Sequence, residues 1–148
     1  DQWDAKERII DWSKTKNLQP HAVPVPLLAA ELIESIKPNE YGWFFPSAKD
    51  PSKPVSHGTL YSFVWRQRDR GVIPYATNRD LRRTFKTLAG KAGVPKEIRD
   101  RLQNHALQDV SSKHYDRWHY MVEKRAGMAK WDKFVRAMLA KKRLKAAA

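Results

Sequence analysis

The segment "NRDLRRTF", Asn78 to Phe85, places Arg79, Arg82 and Arg83 within eight residues. Downstream stand His105, in "LQNH", and Tyr115, in "SSKHYDRW". Arginine presents a planar, permanently charged fork that suits phosphate oxygens. If a phosphate is cut here, cationic side chains must stabilise the growing charge and a side-chain oxygen must attack. No compact carboxylate cluster suggests two-metal phosphoryl transfer, and the five histidines are scattered. There is no Gly-rich phosphate loop and no GxSxG. Metal-free chemistry without a cofactor is therefore the expectation.

Each residue also has a plainer use. Helix residues advance by ~100°. Leu81, Phe85, Leu88, Ala89 and Ala92 then form one apolar stripe. Arg83 points away from it and Arg82 falls at its edge, with its stem packed and its guanidinium aimed. Arg79 lies on a neighbouring face and can reach the same region. The alternative for Arg82 is an ion pair with Asp80 or Asp100. His105 follows Ile98 and Leu102 at helical spacing, which predicts that it closes the inward face of its helix. It is a packed histidine or a donor to phosphate. Tyr115 has Lys113, His114, Asp116 and Arg117 as neighbours, which predicts exposure. Lys16 lies in the polar "SKTKNLQP" and is by default a solvated lysine.

The elements that must position these residues are mainly helical. "ERIIDW" and "HAVPV" read as two short strands joined by a hairpin connection. "PLLAAELIESIK" reads as a helix from Pro26, with Leu28, Leu32 and Ile36 inward and Pro38 as its stop. "YGWFFP" reads as a short buried aromatic segment and "SAKDPSKPVSHG" as a loop. "TLYSFVWRQRDR" reads as a helix with Leu60, Val64 and Trp65 inward. The arginine helix spans about Arg79 to Ala92, Gly93 stops it, and a further helix runs from Pro95 to about Asn104. A long amphipathic helix is predicted from about His119 to Ala140, with Met128, Trp131, Val135, Met138 and Leu139 near one face. That stripe either closes its own domain, the favoured reading, or packs on a neighbouring protomer. The fold class expected is mainly α with a small antiparallel β-hairpin or sheet near the N-terminus. The expected domain is 1–140, followed by a basic mobile tail, 141–148.

Composition bounds the partners. In 148 residues, 29 Lys and Arg against 16 Asp and Glu give a net charge of +13. An excess of this size suits a polyanion, nucleic acid first. The absence of cysteine removes disulfides and thiolate chemistry. No apolar run approaches ~20 residues, so no membrane partner is expected.

Beyond these readings, "RDLRRTFKTLAGKAGVPKEIRDRLQNHALQDVSSKHYDRW" resembles the second half of a tyrosine recombinase catalytic domain, of the phage and genomic-island integrase type. "TKNLQPHAVPVPLLAAEL" resembles that family's β-hairpin and following helix, "YGWFFPS" its short aromatic segment, and "VEKRAGMAKW" its last helix. The resemblance covers about Trp3 to Ala140. It implies the recombinase catalytic-domain fold and site-specific recombination through a 3′-phosphotyrosine DNA intermediate, serving integration or excision of a phage or mobile element. Arg82 resembles the second catalytic arginine, closing the family's His-x-x-Arg box. His105 resembles the position that hydrogen-bonds the scissile phosphate, and Tyr115 the nucleophile. Lys16 resembles the hairpin lysine that protonates the leaving 5′ oxygen, with Lys14 as fallback. The implied partners are double-stranded DNA at attachment sites, other protomers in a synaptic tetramer and accessory DNA-bending proteins. The implied location is the bacterial cytoplasm, at the nucleoid.

The sequence departs from the family pattern in three places. Arg79 stands where the box usually begins with histidine; arginine does not deprotonate and cannot serve as a base. The interval from His105 to Tyr115 is one residue longer than usual. The family's first catalytic arginine and its amino-terminal core-binding domain have no counterpart in these residues. The chain is therefore expected to be an integrase fragment, binding DNA weakly and recombining poorly by itself. The alternative is a DNA-binding or regulatory module that keeps the fold without catalysis. A basic RNA-binding protein would place stacking aromatics on a sheet, whereas the aromatics here fall mostly in helical stripes.

Overall fold

The computed structural model describes residues 2–13, 15, 20–105 and 120–147, without the side chains of His57, Leu60 and residues 143–147. It is α-rich with one small sheet, an α+β architecture. The strands are β1 (Trp3–Asp4), β2 (Ile9–Trp12) and β3 (His21–Pro24). The helices are α1 (Leu27–Glu34), α2 (His57–Asp69), α3 (Asn78–Lys91), α4 (Lys96–Leu102) and α5 (Met121–Ala147). The chain divides into unit 1, Asp1–Glu31 with Lys86–Ala148, and unit 2, Leu32–Phe85. No helix among the described residues is long and apolar enough to cross a membrane.

Unit 1 holds the sheet, antiparallel throughout in the order β1–β2–β3, with Ile10 opposite both Trp3 and Val23. β1 was not anticipated: two residues are too short to display alternation. The expected strand from Glu7 starts instead at Ile9, because Glu7 and Arg8 belong to the turn, with Arg8 at φ 51°. α5 ties unit 1 together. Lys124 Nζ donates to Ala22 O of β3 at 3.0 Å, and Arg125 donates to Glu7 O at 2.9 Å. Asp132 Oδ1 accepts the N–H of Leu28 at 2.7 Å, placing a carboxylate at the start of α1. The buried hydrophobic side chains among the described residues lie in this unit: Ala30, Ala89, Val94, Ile98 and Leu102.

α3 and α4 end in the same way. Gly93 takes φ 82°, its N–H donates to Gly90 O, and Val94 N–H donates to Ala89 O. Asn104 takes φ 51°, its N–H donates to Arg101 O, and His105 N–H donates to Asp100 O. Both are Schellman caps, a left-handed residue followed by a six-to-one bond. The first buries Val94 against the end of α3; the second delivers His105.

In unit 2, Asn39 organises the chain after α1. Its Oδ1 accepts the N–H groups of Tyr41 (3.1 Å) and Trp43 (3.0 Å), and its Nδ2 donates to Pro51 O (2.8 Å). The "YGWFFP" segment is exposed rather than buried: Tyr41, Trp43 and Phe45 all face solvent. A polar asparagine and main-chain bonds hold it, with Trp43 Nε1 donating to Ser52 O at 2.9 Å.

Several expected core faces are also corrected. Leu32 and Trp65 are exposed, and Leu81 is 65% exposed while Ala89, on the same helix, is 0%. Burial on α3 thus belongs to its C-terminal half. In α1 the buried residue is Ala30, and the helix ends at Glu34, before Pro38. On α5, Met128, Trp131 and Val135 are half-buried, whereas Met138 and Leu139 are exposed. The helix itself continues to Ala147, past the expected end near Ala140.

Candidate functional site

The start of α3 carries Arg79 and Arg82. Thr77 and Asp80 build its N-terminus as a capping box in which the carboxylate reaches back. Asp80 Oδ2 accepts from Thr77 N–H (2.8 Å) and from the Thr77 hydroxyl (2.7 Å). Those bonds hold the Asp80 carboxyl below its usual range. Asp80 Oδ1 accepts from Arg83 Nη1 at 3.2 Å, so the described cation partner of Asp80 is Arg83. Arg79 and Arg82 are both exposed. The expectation that the Arg82 stem packs at the edge of a core is corrected with the Leu81 face.

His105 stands in unit 1, past the end of α4 and not on its inward face. Ile98 and Leu102 do face inward, but the left-handed turn at Asn104 breaks the helical spacing before His105. Its side chain is 35% exposed, so it is not sealed in the core. Asp100 is its anchor. The His105 Nδ1 lies 3.1 Å from Asp100 Oδ1, the same oxygen that pairs with Lys86 Nζ at 2.6 Å. Lys96 Nζ lies 3.2 Å from Asp100 Oδ2. One carboxylate, 9% exposed, thus gathers two ammonium groups and an imidazole. The Lys86 bond, with smaller help from His105 and Lys96, drives the Asp100 carboxyl well below the usual range against the opposing effect of burial.

That depression fixes a pH dependence. The unfolded carboxyl titrates near ~3.9, and the folded one lower. Asp100 therefore contributes stability that is complete above about pH 4 and drains as pH falls towards the folded value. Asp100→Asn is expected to cost ~1–2 kcal/mol at pH 7, the Coulomb gain being discounted because both lysines reach solvent. Urea midpoints measured from pH 7 to pH 2 check this: the gap between variant and wild type should hold above about pH 4 and narrow progressively as pH falls below it.

α3 and α4 are also held directly. Arg99 Nη1 donates to Lys86 O, and its guanidinium lies against Gly90, where a Cβ would sit 2.9 Å from Nη1. Arg101 ion-pairs with Glu97 and lies 3.4 Å over the ring of Tyr120, at the start of the chain entering α5. Lys124, 7% exposed, is pushed below its usual value by burial first and by Arg101 second.

Of the residues singled out from sequence, Lys16, Lys14 and Tyr115 lie outside the described residues. Arg79 and Arg82 belong to unit 2 and His105 to unit 1. Two features were missed. The sequence offers Asp100 as a partner for Arg82; of its pairing with Lys86, Lys96 and His105, only Lys96, four residues before it, gives a signal. Lys124 was not singled out, although it falls on the line of Met128, Trp131 and Val135, where a charge is out of place.

No family model matches the chain, and no solved structure matches it. Over 137 residues, 91% of this chain, it is 26% identical to the protein named prophage integrase IntA of Escherichia coli (strain K12). The chain spans about a third of the length of that curated relative, 32%. The relationship is integrase-like and distant.

Proposed function

We propose that this chain is part of the catalytic domain of a tyrosine-type site-specific DNA recombinase, with the fold of that family. The observation that carries the reading is the similarity to a prophage integrase along 91% of the chain. The net charge of +13 supports a DNA partner. In this reading the Tyr115 oxygen attacks the phosphorus of a DNA phosphodiester. A phosphotyrosine bond to the 3′ side forms as the bond to the 5′ oxygen breaks, and Lys16 gives that oxygen its proton. Arg82 and His105 stabilise charge on the non-bridging oxygens. Arg79 adds a second cation but cannot accept the tyrosine proton, which passes to water. The 5′ hydroxyl of a partner strand reverses the step, and two rounds within a tetramer exchange the strands.

The test is recovery of the intact protein from cells under denaturing conditions, followed by sequencing of any DNA attached to it. DNA joined through a 3′ phosphate at a discrete site supports the reading. Specific DNA binding without any covalent product would instead favour a non-catalytic binding module.

A further inference from the structure

We infer that Asp100 is a positioning residue for His105: it accepts from Nδ1–H and so turns Nε2 outward, where the doubly protonated ring donates Nε2–H to the phosphate, and it holds Lys86 beside the ring as a further phosphate-binding cation. The role of the phosphate rests on the recombinase reading; the state of the ring does not.

The argument follows from which atoms can donate. An ionised carboxylate only accepts, and an ammonium only donates. His105 Nδ1 stands 3.1 Å from Asp100 Oδ1 and 3.4 Å from Lys86 Nζ. A bare Nδ1 would accept from lysine at the long distance and press its lone pair on a carboxylate oxygen at the shorter one. A protonated Nδ1 satisfies the shorter contact, which lies within the ordinary N–H···O range. Lys86 has no need of Nδ1, since it already donates to the same carboxylate oxygen at 2.6 Å. The bond made by one ring nitrogen sets the role of the other.

The hold on His105 is double. Asp100 O accepts the His105 main-chain N–H at 2.9 Å through the cap at Asn104, and Asp100 Oδ1 takes the ring. Main chain and side chain are thus set by the same residue of α4. Because Oδ1 is shared, Lys86 is drawn to the imidazole despite the repulsion expected when the ring is protonated. A phosphate approaching Nε2–H of the doubly protonated ring would meet an oriented donor with an ammonium nearby, and neither would need to reorganise first. Lys96, 79% exposed and on the other carboxylate oxygen, is peripheral to this arrangement.

Nitrogen-15 NMR of the imidazole, at a pH where the ring is neutral, tests the inference on the wild-type chain. The proton is expected on Nδ1; a neutral His105 carrying it on Nε2 overturns the proposal without any variant being needed. Asp100→Ala should move the proton towards Nε2, while Lys96→Ala should leave it in place. In the intact protein, Asp100→Ala should slow covalent DNA capture by about tenfold to a hundredfold, the size seen when outer partners that orient a histidine are lost, with little change in DNA affinity. Capture at the wild-type rate in Asp100→Ala overturns the role of Asp100 alone. Absence of any covalent product from the wild-type protein removes the recombinase reading and this role with it.

Discussion

Tyr115→Phe is expected to abolish covalent DNA capture, by ~10³-fold or more, while leaving DNA affinity nearly unchanged. The substitution deletes one oxygen and keeps the ring. If that oxygen is the nucleophile, nothing remains to bond to phosphorus, and the residual rate falls to what binding and charge stabilisation supply alone. Affinity should hardly move, because one neutral hydrogen bond contributes only ~0.5–1.5 kcal/mol net, and a chain of charge +13 is expected to draw DNA through its cations. Arg82→Ala should behave differently. Removing one charged donor from a phosphate site costs ~10²–10³ in rate, and it also weakens binding by removing a cation. The two variants measured together, by covalent capture and by binding in parallel, separate nucleophile from stabiliser. Equal capture by Tyr115→Phe and wild type would end the assignment of Tyr115.

The helices that carry the candidate residues were legible because their signals are local. The arginine helix was expected from about Arg79 and is found over Asn78–Lys91; Gly93 stops it, and its φ of 82° explains why a glycine stands there. Which face each helix covers was less legible. Periodicity reports that a stripe exists, but coverage depends on elements distant in sequence. Leu81 belongs to the stripe by spacing and is exposed, while Ala89 on the same helix is fully covered. His105 shows a second reason. Counting from Ile98 and Leu102 assumes the helix continues, but asparagine can adopt the left-handed conformation at modest cost, and at Asn104 it does. In "LQNH" the histidine carries the chemical signal, and the asparagine is what aims it. The Asp100 cluster joins α3 to α4 through Lys86, and no spacing rule reaches across that turn.

Gly127→Leu is expected to destabilise unit 1 by about 3 kcal/mol, at the upper end of ordinary overpacking. Glycine inside a helix costs ~1 kcal/mol relative to alanine, so its presence within α5 asks for a packing reason. A Cβ placed there would lie 3.1 Å from Val94 Cγ1, 3.2 Å from Ile98 Cγ2 and 3.9 Å from Leu102 Cδ1. These three side chains are among the few buried hydrophobic groups described, so α4 sits against α5 where a larger side chain would have to fit. Alanine needs its neighbours to give by a few tenths of an ångström and regains helix propensity, so Gly127→Ala should stay within ~1 kcal/mol of wild type. Leucine must push α4 away. Since α4 carries Asp100 and delivers His105 through its C-terminal cap, that displacement should also disturb the imidazole. Urea unfolding should rank the variants glycine and alanine together and leucine well below, and the His105 nitrogen resonances should shift only in Gly127→Leu. A leucine variant that unfolds at the wild-type midpoint would mean that α4 does not depend on close contact with α5. The bond from Asp100 to His105 would then have to hold the ring without that support.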